Sequence, residues 1–123
     1  MFKSIKVGKH EIDFLANGAT PYIYKDVFHE DLYNGMNVNG EKTKSKDQEE
    51  ADRAGINLVD IGTKLAYVLN SQAEKRSVSK LGKDDFYKWL EKFEATDLSD
   101  DETLAEIFNV LNSDMATTSE VKN

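Results

Sequence analysis

Cysteine is absent from the 123 residues, which excludes a disulfide framework, a thiolate metal site and a cysteine nucleophile, and leaves packing alone to hold the fold. Histidine is nearly as scarce. His10 and His29 lie far apart in sequence, and neither has a second ligand-type residue at the spacing of a metal site, so each reads as a surface or turn side chain. No run of about 18 apolar residues occurs, and the opening Met1 to Lys6 lacks the apolar stretch of a secretion signal, so a protein that stays in the cytoplasm, without a membrane partner, is expected. Basic residues are the minority, 16 against 23 acidic, and the net charge of −7 argues against nucleic acid, whose binding is driven by Lys and Arg releasing counterions. An acid excess of this size serves solubility; an acidic surface that imitates DNA is the sharper alternative.

Catalytic signatures are missing too. There is no glycine-rich phosphate loop and no serine nucleophile elbow, and pairs of carboxylates arise by chance in a chain so rich in Asp and Glu. The acidic clusters Asp84-Asp85 and Asp97 to Glu102 lack the alternating oxygen ligands and central glycine of a calcium loop, and both precede helical patterns, where negative charge suits the positive end of the helix dipole. No enzyme, metal or cofactor is predicted.

What is present is the patterning of one mainly helical domain over residues 1–112, with a frayed tail over 113–123. Residues 2–15 alternate. With Gly8 and Lys9 as a two-residue turn, Val7 faces His10, Ile5 faces Ile12 and Lys3 faces Phe14, one face becomes apolar, and Lys6 meets Glu11 on the other. A lone hairpin is marginal in water, so Ile5, Val7, Ile12 and Phe14 are expected to lie against helices.

The single proline, Pro21, follows Thr20, a pairing that marks a helix start with the threonine hydroxyl as cap. Tyr24, Val27, Phe28, Leu32 and Met36 then fall on one side of a first helix. Residues 37–48 read as a polar loop whose lysines are solvated among acidic neighbours. From about Glu49 to Gln72 runs the longest and most apolar helix, with Leu58, Ile61, Gly62, Leu65, Val68 and Leu69 on its stripe; Gly62 there signals either a close helix crossing or mere tolerance. A short helix over 83–94 carries Phe86, Trp89, Leu90 and Phe93 as core anchors, capped by Asp84 or Asp85. Ser99 with Glu102 fits a capping box ahead of a last stripe, Leu104, Ile107, Phe108 and Leu111. The predicted fold is a bundle of about four helices with the N-terminal hairpin packed against it.

Several large side chains fall off these stripes. Tyr22, Ile23 and Tyr33 lie roughly opposite Phe28, Tyr67 lies opposite Leu58, and Tyr87 points away from Trp89. Either these helices are buried on two sides, or the tyrosines form a protein-binding surface, a role that suits a large ring with a polar tip. Tyr22, Ile23, Tyr33, Tyr67 and Tyr87 are therefore the candidate binding residues.

Ala19, Thr20, Pro21, Tyr24, Lys25, Phe28, Asp31 and Leu32, followed later by Asp84, Phe86, Trp89 and Leu90, resemble the opening and the acidic-aromatic helix of the small tail assembly chaperones of long-tailed bacteriophages. The order of elements over residues 1–112 also fits. The resemblance implies a non-enzymatic protein of the host cytoplasm that coats the tape measure protein, helps recruit tail tube subunits and is absent from the mature virion. It also implies that a frameshift near Asn112 could append a second domain in a longer form; self-association is left open. A structural tail or head-tail connector protein is the alternative within the same setting.

Overall fold

The computed structural model describes the backbone of residues 1–33 and 48–122, and the side chains of residues 1–33 and 58–113. Strands β1 (Phe2–Val7) and β2 (His10–Leu15) are followed by helices α1 (Thr20–Phe28), α2 (Gln48–Ala73), α3 (Lys83–Leu90) and α4 (Asp101–Lys122), with one 3₁₀ turn at Val78–Lys80. The loop expected over 37–48 falls outside the described residues as far as 47, and so does Met36.

The hairpin takes the register that alternation dictates: Val7 pairs with His10, Ile5 with Ile12, Lys3 with Phe14, and Lys6 with Glu11. Gly8 carries the turn at φ 61°, in the left-handed region where a side chain is costly, and a Cβ there would also collide with the Asp97 carboxylate. Ile5, Val7, Ile12 and Phe14 are buried against the helices. Helix α2 is the centre of the body, with β2, α1, α3 and α4 all packed on it. At Gly62 the approach of α4 is close enough that a Cβ would stand 2.5 Å from the end of Leu104, so the glycine marks a helix crossing.

Three helix starts differ from their sequence signals. Helix α3 begins after Gly82 with no side-chain cap, and Asp84 and Asp85, expected as caps, lie inside its first turn. Thr20 does not cap α1; its hydroxyl accepts from the Asn17 N–H (3.0 Å) and donates to Gln72 Oε1 (2.7 Å), while Gln72 Nε2 donates to Asn17 Oδ1 (2.8 Å). The closed ring ties the start of α1 to the end of α2. Helix α4 is capped one residue later than the Ser99 box suggests, by Asp100, whose Oδ2 accepts from the N–H (3.1 Å) and hydroxyl (3.2 Å) of Thr103. The backbone of α4 stays helical to Lys122, past the point at 113 where the sequence pattern places a frayed tail.

The first helix is shorter than its stripe predicts. It stops at Phe28 because His29 adopts φ 59° and returns its N–H to the Lys25 carbonyl (2.8 Å), so the wheel drawn through Tyr33 loses its phase at this break. A polar side chain sits at the centre of the core. Asn70, buried on α2, donates from Nδ2 to the Asp13 carbonyl of β2 (2.9 Å) and accepts from the Trp89 indole N–H of α3 (2.9 Å). One amide thus joins three elements.

Candidate functional site

The reversal at His29 turns Glu30 back over α2. There Lys64 places its ammonium 2.9 Å from Asp60 and 3.0 Å from Glu30, and 5.4 Å from the centre of the Phe28 ring. Burial opposes the lysine's charge, but the hydrogen bonds to Asp60 and Glu30 outweigh it and hold its pKa above the ordinary value. Beneath, the Tyr24 hydroxyl is buried with no hydrogen-bond partner; burial, then the negative charges of Glu30 and Asp60, push its pKa up.

This cluster forms one end of an open groove of about 1050 Å³ between the end of α1, the Val59 to Lys64 stretch of α2, and residues 81–90. Val27, Phe28, Leu81, Phe86 and Leu90 supply its apolar lining, and Tyr87 stands at the lip, 53% exposed. A second depression of about 270 Å³ shares Val59, Thr63 and Leu90 with the first and continues to Phe93 and Leu98. The two depressions thus adjoin along α2 at Val59, Thr63 and Leu90.

The wall opposite α2 is braced from behind. The Tyr67 hydroxyl donates to Asp85 Oδ2 and accepts from the Gly82 N–H (3.3 Å), and Arg76 grips both oxygens of Asp85 at 2.8 and 2.9 Å. Arg76 holds the Asp85 carboxyl below its ordinary pKa, and burial, helped by the Asp85 hydrogen bond, pushes the Tyr67 phenol up to about 12. A carboxylate with a depressed folded pKa adds stability above its unfolded value of 3.8, and that contribution is lost as pH falls through the folded value. Asp85→Asn is therefore expected to cost about 1–3 kcal/mol at neutral pH. The gap in melting temperature from the native chain should begin to narrow as the pH drops below about 4, where the carboxylate of the unfolded chain is protonated, and should close only below the lower pKa of the folded one.

The five candidate binding residues do not share one surface role. Tyr67 is corrected outright: it is fully buried, with ring centres of Phe86, Trp89 and Phe28 at 5.2, 5.6 and 6.0 Å, because α2 is enclosed on every side over residues 65–71. Ile23 is half-buried and packs against the core. Tyr22, 75% exposed, and Tyr33, 36% exposed, stay at the surface but do not line the groove; Tyr87 does. Leu58, expected on the buried stripe, is 39% exposed.

Val59, Thr63 and Lys64 were not legible as site residues, since each is ordinary on a helix wheel and acquires meaning only from the walls that α1 and α3 raise beside it. His10 lies elsewhere, donating from Nε2 to the Lys92 carbonyl (3.0 Å) with its ring against Phe93. Among the described residues no group of His, Asp or Glu is placed to hold a metal ion, and no helix is long and apolar enough to cross a membrane. Comparison of the chain with protein-family models, with curated proteins and with solved structures gives no match.

Proposed function

We propose that this chain is a tail assembly chaperone of a long-tailed bacteriophage, binding the tape measure protein in the host cytoplasm and helping to bring in tail tube subunits, without an enzymatic step. The observation that carries the reading is the trough beside α2: a long apolar depression with a charged rim is the shape that receives an amphipathic helix. A tape measure protein offers such helices in long succession. The resemblance at Ala19 to Leu32 and at Asp84 to Leu90 points the same way, and those stretches supply two of the three sides of the groove.

A chaperone that is later displaced needs contacts that are individually modest, since affinity among related complexes is set mainly by the dissociation rate. An open groove with one exposed ring at its lip suits that need. The test is co-expression with helical segments of the tape measure protein from the same genome. The native chain is expected to keep such a segment in solution. Thr63→Arg, which lays a long side chain across the middle of the trough, is expected to abolish the rescue while leaving the melting temperature of the domain nearly unchanged. The paired change of Tyr22 and Tyr33 to Ser should leave rescue intact. A segment that stays insoluble beside the native chain, or recovery of the chain as a component of purified virions, would favour a structural tail role instead.

A further inference from the structure

The groove is not electrically uniform. At the α1 end, Asp26, Glu30 and Asp60 line it with only the Lys64 ammonium among them, so three carboxylates face one cation. Lys83 lies on the opposite wall, and toward the far end Glu94 is the one ionisable side chain of the second depression. The middle is apolar, from Leu81 and Val59 to Leu90 and Phe93. The acid end already holds a cation in two ways at once, by paired carboxylates and by the face of Phe28.

We infer that the groove accepts a partner helix with an apolar stripe against Val59, Thr63 and Leu90 and a Lys or Arg near one end seated among Asp26, Glu30 and Asp60. This rests on the chaperone reading for the identity of the partner, and adds to it the chemistry that selects which helices are bound. A lysine or arginine arriving there balances the surplus carboxylate charge, and its aliphatic stem lies along the same apolar wall as the stripe. The net charge of −7 steers such a basic segment toward the protein from a distance. An acidic helix of equal apolarity meets uncompensated carboxylates and is rejected.

The experiment uses labelled helical peptides of about five turns, ~18 residues, with one leucine stripe in common and with Lys or Glu at the flanking positions, titrated with the full chain and followed by fluorescence anisotropy. The Lys-flanked peptide is expected to bind at least about tenfold more tightly than the Glu-flanked one at low salt, with the difference shrinking as salt is added. Asp26→Lys, a change on the exposed face of α1 that leaves the Lys64 cluster intact, should reduce the preference, and Asp26→Lys with Asp60→Lys should abolish or invert it. Equal binding of the two peptides, or a preference that survives the double change, overturns the inference. If the Lys-flanked peptide binds as stated but the tape measure segment stays insoluble on co-expression, the chaperone reading fails and the groove assignment stands. If the doubly changed chain still rescues that segment as well as the native one, the groove assignment fails and the chaperone reading stands.

Discussion

Asn70→Leu is expected to destabilise the domain by about 2–6 kcal/mol, a large part of the stability of a protein this size. Leucine keeps the branched outline of asparagine but is bulkier, so overpacking at this buried site adds to the loss of the hydrogen bonds. Met1 and Ala16 exchange both backbone bonds, 2.6 and 2.9 Å, which fixes the alternation along the hairpin; Asp13 falls at a position whose carbonyl points off the ladder, toward α2. Asn70 Nδ2 satisfies that carbonyl, and its Oδ1 satisfies the indole N–H of Trp89, which is itself buried. Removing the amide strands one acceptor and one donor in the interior, each at about 1–3 kcal/mol. Chemical denaturation followed by Trp89 fluorescence measures the loss directly. A change of less than about 1 kcal/mol would show that water or a side-chain shift replaces both bonds.

Tyr67→Ala is the second large effect, expected to cost about 3–5 kcal/mol because a fully buried ring among Phe28, Phe86 and Trp89 leaves a cavity when it is cut away. Tyr67→Phe keeps the ring and loses only the bonds to Asp85 and the Gly82 N–H, so it should cost about 0.5–3 kcal/mol. The pair separates two roles of one residue. Because the hydroxyl also fixes Gly82, which lines the groove, the phenylalanine variant is expected to weaken partner binding more than its effect on stability alone would suggest. Equal stability of the two variants would mean that the ring is not a core element at all.

Tyr67 also shows where the sequence ceases to be legible. A helix wheel assumes one buried side, and the stripe through Ile61, Leu65, Val68 and Leu69 is buried as that assumption requires. Over Leu65 to Ser71, however, hairpin, α1 and α3 close around α2, so the side opposite the stripe is interior too. The unbroken apolar run Leu65-Ala66-Tyr67-Val68-Leu69 was the available sign, since a helix apolar all round is a buried one. The hairpin was readable to the residue because a two-residue period leaves only one register that buries Ile5, Val7, Ile12 and Phe14 together.

The groove was not readable in that way. Its walls come from residues 26–30, 59–64 and 81–90, brought together by the reversal at His29, a left-handed residue with no glycine or asparagine to announce it. Only Tyr87, an aromatic off its stripe, flagged the site in advance. Val27 and Phe28 look like plain core on a wheel, and although Lys64 meets Asp60 at the four-residue spacing of one helix, its pairing with Glu30 spans too much sequence for spacing to reveal.

The account stands on the trough beside α2 being the face that grips another polypeptide. A photo-reactive benzoylphenylalanine placed at position 87, and in a separate chain at position 22, during co-expression with a tape measure segment puts one probe at the lip of the groove and one on an exposed ring outside it. Cross-linking from 87 with little or none from 22 is the result expected. Cross-linking from 22 with none from 87 would place the partner on another face and contradict the account.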